Sequence, residues 1–493
     1  MAADAEPTSG SSELRGFFGR DLLYVLLWAS PLGLATLLTP VITRLLGTHG
    51  YGVAAVCVAL MQLLIAIAGV GLNVAIQRTY ASDGDHEARK IVTVSLLIAM
   101  ACFLALTISG PLWARALRFG PYRGAVPYTV AWAMCGAVCQ TVLGVLRSRD
   151  QLRRFALVTL MQTTLSEVLS LALILMVKRT ATEYILGELL GQGATLAVAL
   201  ILAPPVLLRR VDRLIVTGVL RFAIPLIPVM LSGFVLSSSA RLVVNGDIGR
   251  VAAARFTIAS NVGSIASLLV YAIFETWMPR VFALRDQETI PKVLSESRDT
   301  LYALLMPATI GLCLASPLLL RLWAPASFAP DRLQPYVAII CVSTFPYAGA
   351  STNNRSLIRC SRSQTAARIT ITAAIASIAL SLLLVPLLGI AGAALSTFVA
   401  YVVMYVRSDR ASQVLLPIPR TSARLRIGIA LAIATCFASL LIPLTLPFLI
   451  LRGFAGACCA MVVVALLYLV RKRGRGPGLG TLARWLTVWP GEA

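Results

Sequence analysis

The chain has 493 residues, 58% of them hydrophobic and 13% charged, and a mean hydropathy of +0.84. A soluble domain carries about 25% charged residues, so this chain holds more apolar surface than its own core can hide and needs lipid as a solvent. Its net charge of +22 sits in loops between apolar runs with no basic aromatic patch, which excludes nucleic acid as a partner and reads as topogenic charge at an anionic leaflet.

Runs of about 20 apolar residues, enough to cross a bilayer as helices, follow a polar N-tail (1–21). The first six predicted spans are 22–43, 52–74, 91–113, 126–146, 156–177 and 184–206. The next six are 218–243, 252–275, 301–322, 335–357, 369–386 and 389–406, and the last two are 427–449 and 453–470. Strand-like alternation does not dominate, which argues against an outer-membrane barrel. No cleavage-site pattern follows the first run, so it reads as a retained helix. The ten cysteines fall mostly inside spans without a C-x-x-C or Cys/His cluster, so neither a metal site nor a disulfide framework is expected.

The N-tail, the even-numbered loops and the basic C-tail (471–493) hold 31 of the 43 basic residues. The positive-inside rule then puts both tails in the cytoplasm. The longest loop, 276–300, is too short to fold as a domain. A phosphate-cradling Gly-Lys-Ser/Thr loop and a Ser/His/Asp or Cys/His constellation are both missing. Transport, not catalysis, is the expected activity, and no enzyme is predicted.

The spans carry an internal echo. Pro31 and Arg44 match Pro228 and Arg241 at an offset of 197, and Gly47 and Gly50 match Gly246 and Gly249 at 199. Arg149 and Gln151 match Arg362 and Gln364 in the same way. Both echoes join a span to the sixth span after it, so the two copies share one orientation, as in parallel-repeat transporters. The expected fold is an all-α polytopic membrane protein of about fourteen transmembrane helices. It has an N-lobe (22–206), a pseudo-symmetric C-lobe (218–406), two extra helices (427–470) and the C-tail.

The segment R-L-L-G-T-H-G-Y-G (44–52) resembles the Arg-Leu-Leu-Gly…Tyr-Gly signature of the bacterial polysaccharide-biosynthesis flippases, in the multidrug/oligosaccharidyl-lipid/polysaccharide (MOP) superfamily. P-L-L-G-I-A-G-A-A-L-S-T (386–397) is similar to their hairpin between spans 11 and 12. Ala240-Arg241-Leu242 with Gly246 and Gly249 is similar to their span-7 signature, although Ala240 stands where the family often has Asp. The resemblance implies translocation of undecaprenyl-diphosphate-linked oligosaccharide across the bacterial inner membrane, by alternating access, for cell-surface polysaccharide such as lipopolysaccharide. It also implies two lobes in a V around a central cationic cavity lined by spans 1, 2, 7 and 8. Expected partners are the lipid-linked glycan, membrane lipids and the polysaccharide polymerase machinery. No cofactor is expected beyond a coupling proton or sodium ion. Three alternatives stay open: a multidrug/cation antiporter of the same superfamily, a peptidoglycan-precursor lipid flippase, and a membrane polymerase or ligase of polysaccharides.

A diphosphate needs cations on its path, because a bare anion in hydrocarbon is strongly disfavoured, and the guanidinium fork fits phosphate. The candidates are Arg44, Arg241 and Arg255 near the outer side, with Arg78 and Arg280 at the inner ends of spans 2 and 8. Snorkelling and topogenic roles compete with that reading. Asn73, Gln77 and Asn261, on or beside spans 2 and 8, are candidates for sugar hydroxyls, although span amides also bind neighbouring helices. Glu167 and Glu275 are the candidate coupling carboxylates, because acidic residues within spans are functional hypotheses by default.

Overall fold

In lipid a chain must satisfy its backbone hydrogen bonds within itself, and the described residues do so with helices alone. The computed structural model describes residues 10–473 except 117–118, 120–121, 207–216, 219–220, 222–223, 272–288 and 361. Its N-terminal half comprises α1 (Gly10–Ala68), α2 (Leu72–Asp83), α3 (Asp85–Ile108), α4 (Gly110–Ala116) and α5 (Ala125–Ser148). Then come α6 (Leu152–Leu160), a π-helical turn (Met161–Leu165), α7 (Ser166–Met176) and α8 (Ala181–Leu202). The C-terminal half comprises α9 (Ile227–Asp247), α10 (Arg250–Gly263), α11 (Thr289–Trp323), α12 (Gln334–Arg359), α13 (Ser363–Leu388) and α14 (Ile390–Leu415). Two further helices follow, α15 (Ala423–Ala438) and α16 (Leu446–Arg473).

Among the described residues, eleven helices are long and apolar enough to cross a membrane, or twelve if Arg250–Gly263 and Ile265–Tyr271, bent by 47°, form one span. Each of the fourteen predicted spans overlaps a helix. Spans 1 and 2 share α1, which breaks at Gly47 (φ 65°, ψ −177°), a conformation open essentially to glycine alone. Span 10 coincides with α12, which Ser, Thr and Asn residues make more polar than its neighbours.

The repeat is visible in the backbone, with a shifted register. Gly47 corresponds in conformation to Gly249 (φ 113°, ψ 177°), and not to Gly246. The second echo is out of step by two residues. Helices end at Ser148 and Arg359 and restart at Leu152 and Ser363, both 211 apart. The same bond closes both junctions, from Gln151 N to Leu146 O at 3.0 Å and from Arg362 N to Leu357 O at 2.8 Å. Gln151 therefore corresponds to Arg362, because arginine-rich loops match themselves in more than one register.

The fully buried apolar core joins the halves toward one end among the described residues. Two clusters bring together residues of both halves, Ile42, Tyr51 and Ile185 with Ile258, Trp323 and Phe328 in one, and Leu60 and Val130 with Val244 and Phe256 in the other. Toward the opposite end the core splits. One cluster, including Leu72, Leu146 and Phe155, belongs to the N-terminal half, and another, including Leu357, Ile369 and Met404, to the C-terminal half. Helix α1 is the seam, packed on α5 within its own half and on α9 and α10 across it. Helix α5 is the most enclosed, with 83% of its apolar window buried against 22% for α15 and α16, which places those two helices at the periphery.

A buried arginine anchors the last helix. Pro317 lies within α11 and has no N–H to give the carbonyl four residues back. Arg452 of α16 fills that gap, its Nη2 donating to Cys313 O at 3.3 Å and its Nε to Leu314 O at 3.2 Å.

Candidate functional site

The end of the molecule that carries Trp323 is shut by contacts across the seam. The Thr43 hydroxyl donates to Trp323 O at 2.6 Å, and Arg44 donates to Leu322 O and to its own Pro40 O, each at 3.0 Å. These carbonyls close the last turn of α11, where no intrahelical donor remains. The Tyr51 and Phe328 rings meet edge to face at 5.9 Å. A Cβ at Gly52 would lie 2.1 Å from Arg250 O, so only glycine lets α1 and the start of α10 touch there. Arg255 donates to Ser327 O at 3.4 Å, and Arg241 to Asn261 Oδ1 at 3.1 Å. Arg44, Arg241, Arg255 and Asn261 thus lie along the seam, all four bound to backbone carbonyls or to one another.

Below this closed end lies a cavity of about 620 Å³ whose described lining residues belong to the N-terminal half. Helix α1 gives it Val58, Met61, Gln62 and Ile65, and α2 gives Asn73 and Gln77. Helix α5 contributes Trp132, Gln140 and Arg147; α6 and the π turn contribute Phe155, Thr159, Gln162 and Thr163; α7 and α8 contribute Glu167, Tyr184, Glu188 and Gln192. Trp132 and Arg147 sit on the one helix α5, fifteen residues or about 22 Å apart, so the cavity is elongated along the helices. Arg147, Gln77 and Phe155 stand at its mouth, Trp132, Glu167, Tyr184 and Glu188 at its floor, and the amides between.

Among the described residues, spans 2, 4, 5 and 6 line this space, and Arg147 is the one cation among the lining side chains. The expected lining by spans 7 and 8 falls partly on residues outside those described. Asn73, Gln77 and Glu167 line it as candidates. Arg78, exposed beside Gln77 on α2, does not. Arg44, Arg241, Arg255 and Asn261 sit at the seam instead: backbone carbonyls accept from Arg44 and Arg255, and Asn261 accepts from Arg241, while the Nε atoms of Arg241 and Arg255 are buried without a partner. Glu275 and Arg280 lie outside the described residues.

Local sequence shapes the cavity. Helix α1 stops at Ala68, and Gly71 turns left-handed (φ 67°) before α2 begins, so Asn73 and Gln77 lie on a separate short helix facing α5. The π turn at Met161–Leu165 widens one turn of the α6–α7 rod and faces Gln162 and Thr163 inward; such turns cluster at functional sites. Gly187 and Gly191 form a G-x-x-x-G pair on α8. A Cβ on either would come within 2.3 Å of the Ser170 or Ser166 Cα, so α7 and α8 touch backbone to backbone. That contact sets Glu167 and Glu188 side by side with the Tyr184 hydroxyl within hydrogen-bonding reach of both. Ser170 donates to Glu188 Oε1 at 3.2 Å, and Ser238, across the seam, to Gln62 Oε1 at 2.7 Å.

Three polar atoms of the wall are buried without a hydrogen-bond partner: Thr159 Oγ1, Glu167 Oε2 and Gln192 Nε2. Gln62, Arg147, Tyr184 and Gln192 went unselected in the sequence, although a signal existed for the last two. Tyr184, Glu188 and Gln192 recur every four residues on an otherwise apolar helix, which is one polar stripe.

The profile of the family described as polysaccharide biosynthesis protein matches residues 22–284, more than half of the chain. None of the curated proteins compared with the chain matches it. Among solved structures, the lipid II flippase MurJ in an inward closed conformation superposes with a TM-score of 0.69 at 14% identity, over 92% of this chain and 100% of that one. An inward-facing multidrug resistance MATE family transporter of the MOP superfamily gives 0.55 at 17% identity, over 80% and 95%. A MOP superfamily transporter from Pyrococcus furiosus, whose binding pocket has reverse polarity, gives 0.58 at 17% identity, over 81% and 96%. At such identities the likeness carries the fold.

Proposed function

Because this chain belongs to the polysaccharide biosynthesis protein family, we propose that it is a flippase moving undecaprenyl-diphosphate-linked oligosaccharide across a bacterial inner membrane by alternating access. One observation carries the reading: a long polar cavity beside the seam, sealed toward Trp323 and lined by amides and one arginine. A glycan headgroup cannot cross hydrocarbon without replacement hydrogen bonds, and such a cavity supplies them while the polyprenyl tail stays in lipid. The basic loops favour the Arg147 end as cytoplasmic, so the lobes here stand closed to the outside. In this scheme Arg147 and Arg78 receive the diphosphate from the inner leaflet. Arg44, Arg241, Arg255 and Asn261 become available when the seam parts. Glu167 exchanges a proton or sodium ion.

The fold shared with MurJ supports a lipid-linked substrate and keeps the peptidoglycan precursor as the second reading. The paired carboxylates are the one observation favouring a cation antiporter. The test is reconstitution in proteoliposomes with labelled undecaprenyl-diphosphate-linked oligosaccharide in one leaflet. Protein-dependent appearance of the glycan in the other leaflet is expected, with its dependence on an ion gradient lost in Glu167→Gln. Efflux of cationic dyes without movement of the lipid would overturn the reading.

A further inference from the structure

We infer that the middle of the N-terminal cavity is a binding site for an uncharged sugar carrying hydroxyl or acetamido groups, and that it turns anionic sugars away. This rests on the flippase reading and adds the class of sugar to it. The cavity's about 620 Å³ falls within the range of about 300–1,000 Å³ usual for small-molecule pockets. Polarity is ordered along its length. Arg147 stands at the mouth, Asn73, Gln140, Gln162 and Gln192 at mid-depth, and Glu167 and Glu188 at the floor.

Each group favours a different part of a lipid-linked glycan. A primary amide offers two donors and an acceptor, which matches vicinal hydroxyls and an acetamido group without adding charge. Gln192 is 1% exposed and Thr159 5%, yet Gln192 Nε2 and Thr159 Oγ1 have no partner. Buried polar atoms of this kind are normally bonded, so the pair marks places that a ligand's hydroxyls would fill. The diphosphate is held at the mouth beside Arg147, the one cation among the described lining side chains. A uronic or other acidic sugar at mid-depth would meet amides but no cation among the described lining side chains, and an anion taken out of water without an opposite charge is penalised.

The test uses the full chain in nanodiscs and three probes: undecaprenyl diphosphate, the same lipid bearing N-acetylglucosamine, and the same lipid bearing glucuronic acid. The acetamido sugar should tighten binding about ten-fold over the bare diphosphate, the size of one or two hydrogen bonds, and glucuronic acid should give no gain. Gln192→Leu should erase most of that advantage. So should Gln140→Leu, which lies among the mid-depth amides but is exposed and keeps the test decisive if the buried variant does not fold. Equal affinity for the three lipids, a preference for the acidic sugar, or an advantage surviving in both variants would overturn the assignment and leave the flippase reading intact. Binding of none of the three lipids would defeat the flippase reading, and the sugar site with it.

Discussion

Helices α7 and α8 hold the same place in the N-terminal half that α13 and α14 hold in the C-terminal half, and both pairs pack backbone to backbone. In α14 a Cβ on Gly392 would sit 2.1 Å from Leu384 O, as tight a contact as Gly187 and Gly191 make on α7. The polar groups beside these contacts differ. Between α13 and α14 the Ser381 and Ser396 hydroxyls bond each other at 2.7 Å, and the Tyr347 and Tyr401 rings, 5.0 Å apart, fill the space toward α12. Between α7 and α8 Ser170 bonds Tyr184 O and Glu188, but Ser166 Oγ, Glu167 Oε2 and Gln192 Nε2 are left unbonded, and Glu167 and Gln192 line the cavity. Short hydroxyls that satisfy each other make a solid scaffold, and long amides and carboxylates that do not make a site.

The largest effect should come from breaking the α7–α8 contact. Gly191→Val puts a branched side chain where a Cβ alone would lie 2.3 Å from the Ser166 Cα. The helices must separate, and overpacking of this kind costs about 1–3 kcal/mol or more. Thermal unfolding in detergent should shift down by several degrees, and glycan export in cells should be lost at matched protein levels. Gly233→Ala in α9 is the control, since nothing lies within 4 Å of its Cβ position and alanine is the better helix former. Wild-type export from Gly191→Val would show that the hollow half does not depend on this contact.

What could be read from sequence follows from how far each signal reaches. Span positions were legible, because apolar length is a local property. A repeat was legible too but not its register: the sequence pairs Gly47 with Gly246, whereas the backbone conformation closed to other residues is shared by Gly47 and Gly249. The cavity was legible in part. Glu167, Asn73 and Gln77 stand out as polar residues in apolar runs, but which amides converge depends on the break at Gly71 and on the π turn, and neither has a compositional mark. The surroundings of the arginines were hidden for a related reason. Arg44 and Arg255 look unexplained as charges, whereas in three dimensions the end of α11 and the loop after it present carbonyls that need donors.

A middle-sized effect should come from the seam. Gly52→Ala places a methyl 2.1 Å from Arg250 O, and strain of about 1–3 kcal/mol in the closed state alone would change the balance of conformations about 5–150-fold. Spin labels at His49 and Ala326, both exposed at this end, should report a longer and broader distance distribution than in the unsubstituted chain. An unchanged distribution would mean that the contact at Gly52 does not hold the halves together.

The smallest effect distinguishes a clamp from a ligand. Arg44 is exposed and spends its donors on Pro40 O and Leu322 O, one bond within its own helix and one across the seam. Arg44→Gln gives up the long reach but keeps a donor, so the closed end should lose no more than the about 0.5–1.5 kcal/mol of one hydrogen bond. Lipid affinity measured with the seam closed should stay within a few-fold of the unsubstituted chain, unlike the loss expected from Gln192→Leu. If Arg44→Gln instead weakened undecaprenyl diphosphate binding more than the cavity variants do, the diphosphate would have to enter at the seam. The contrast between a clamping end and a binding cavity would then give way to one continuous path through both.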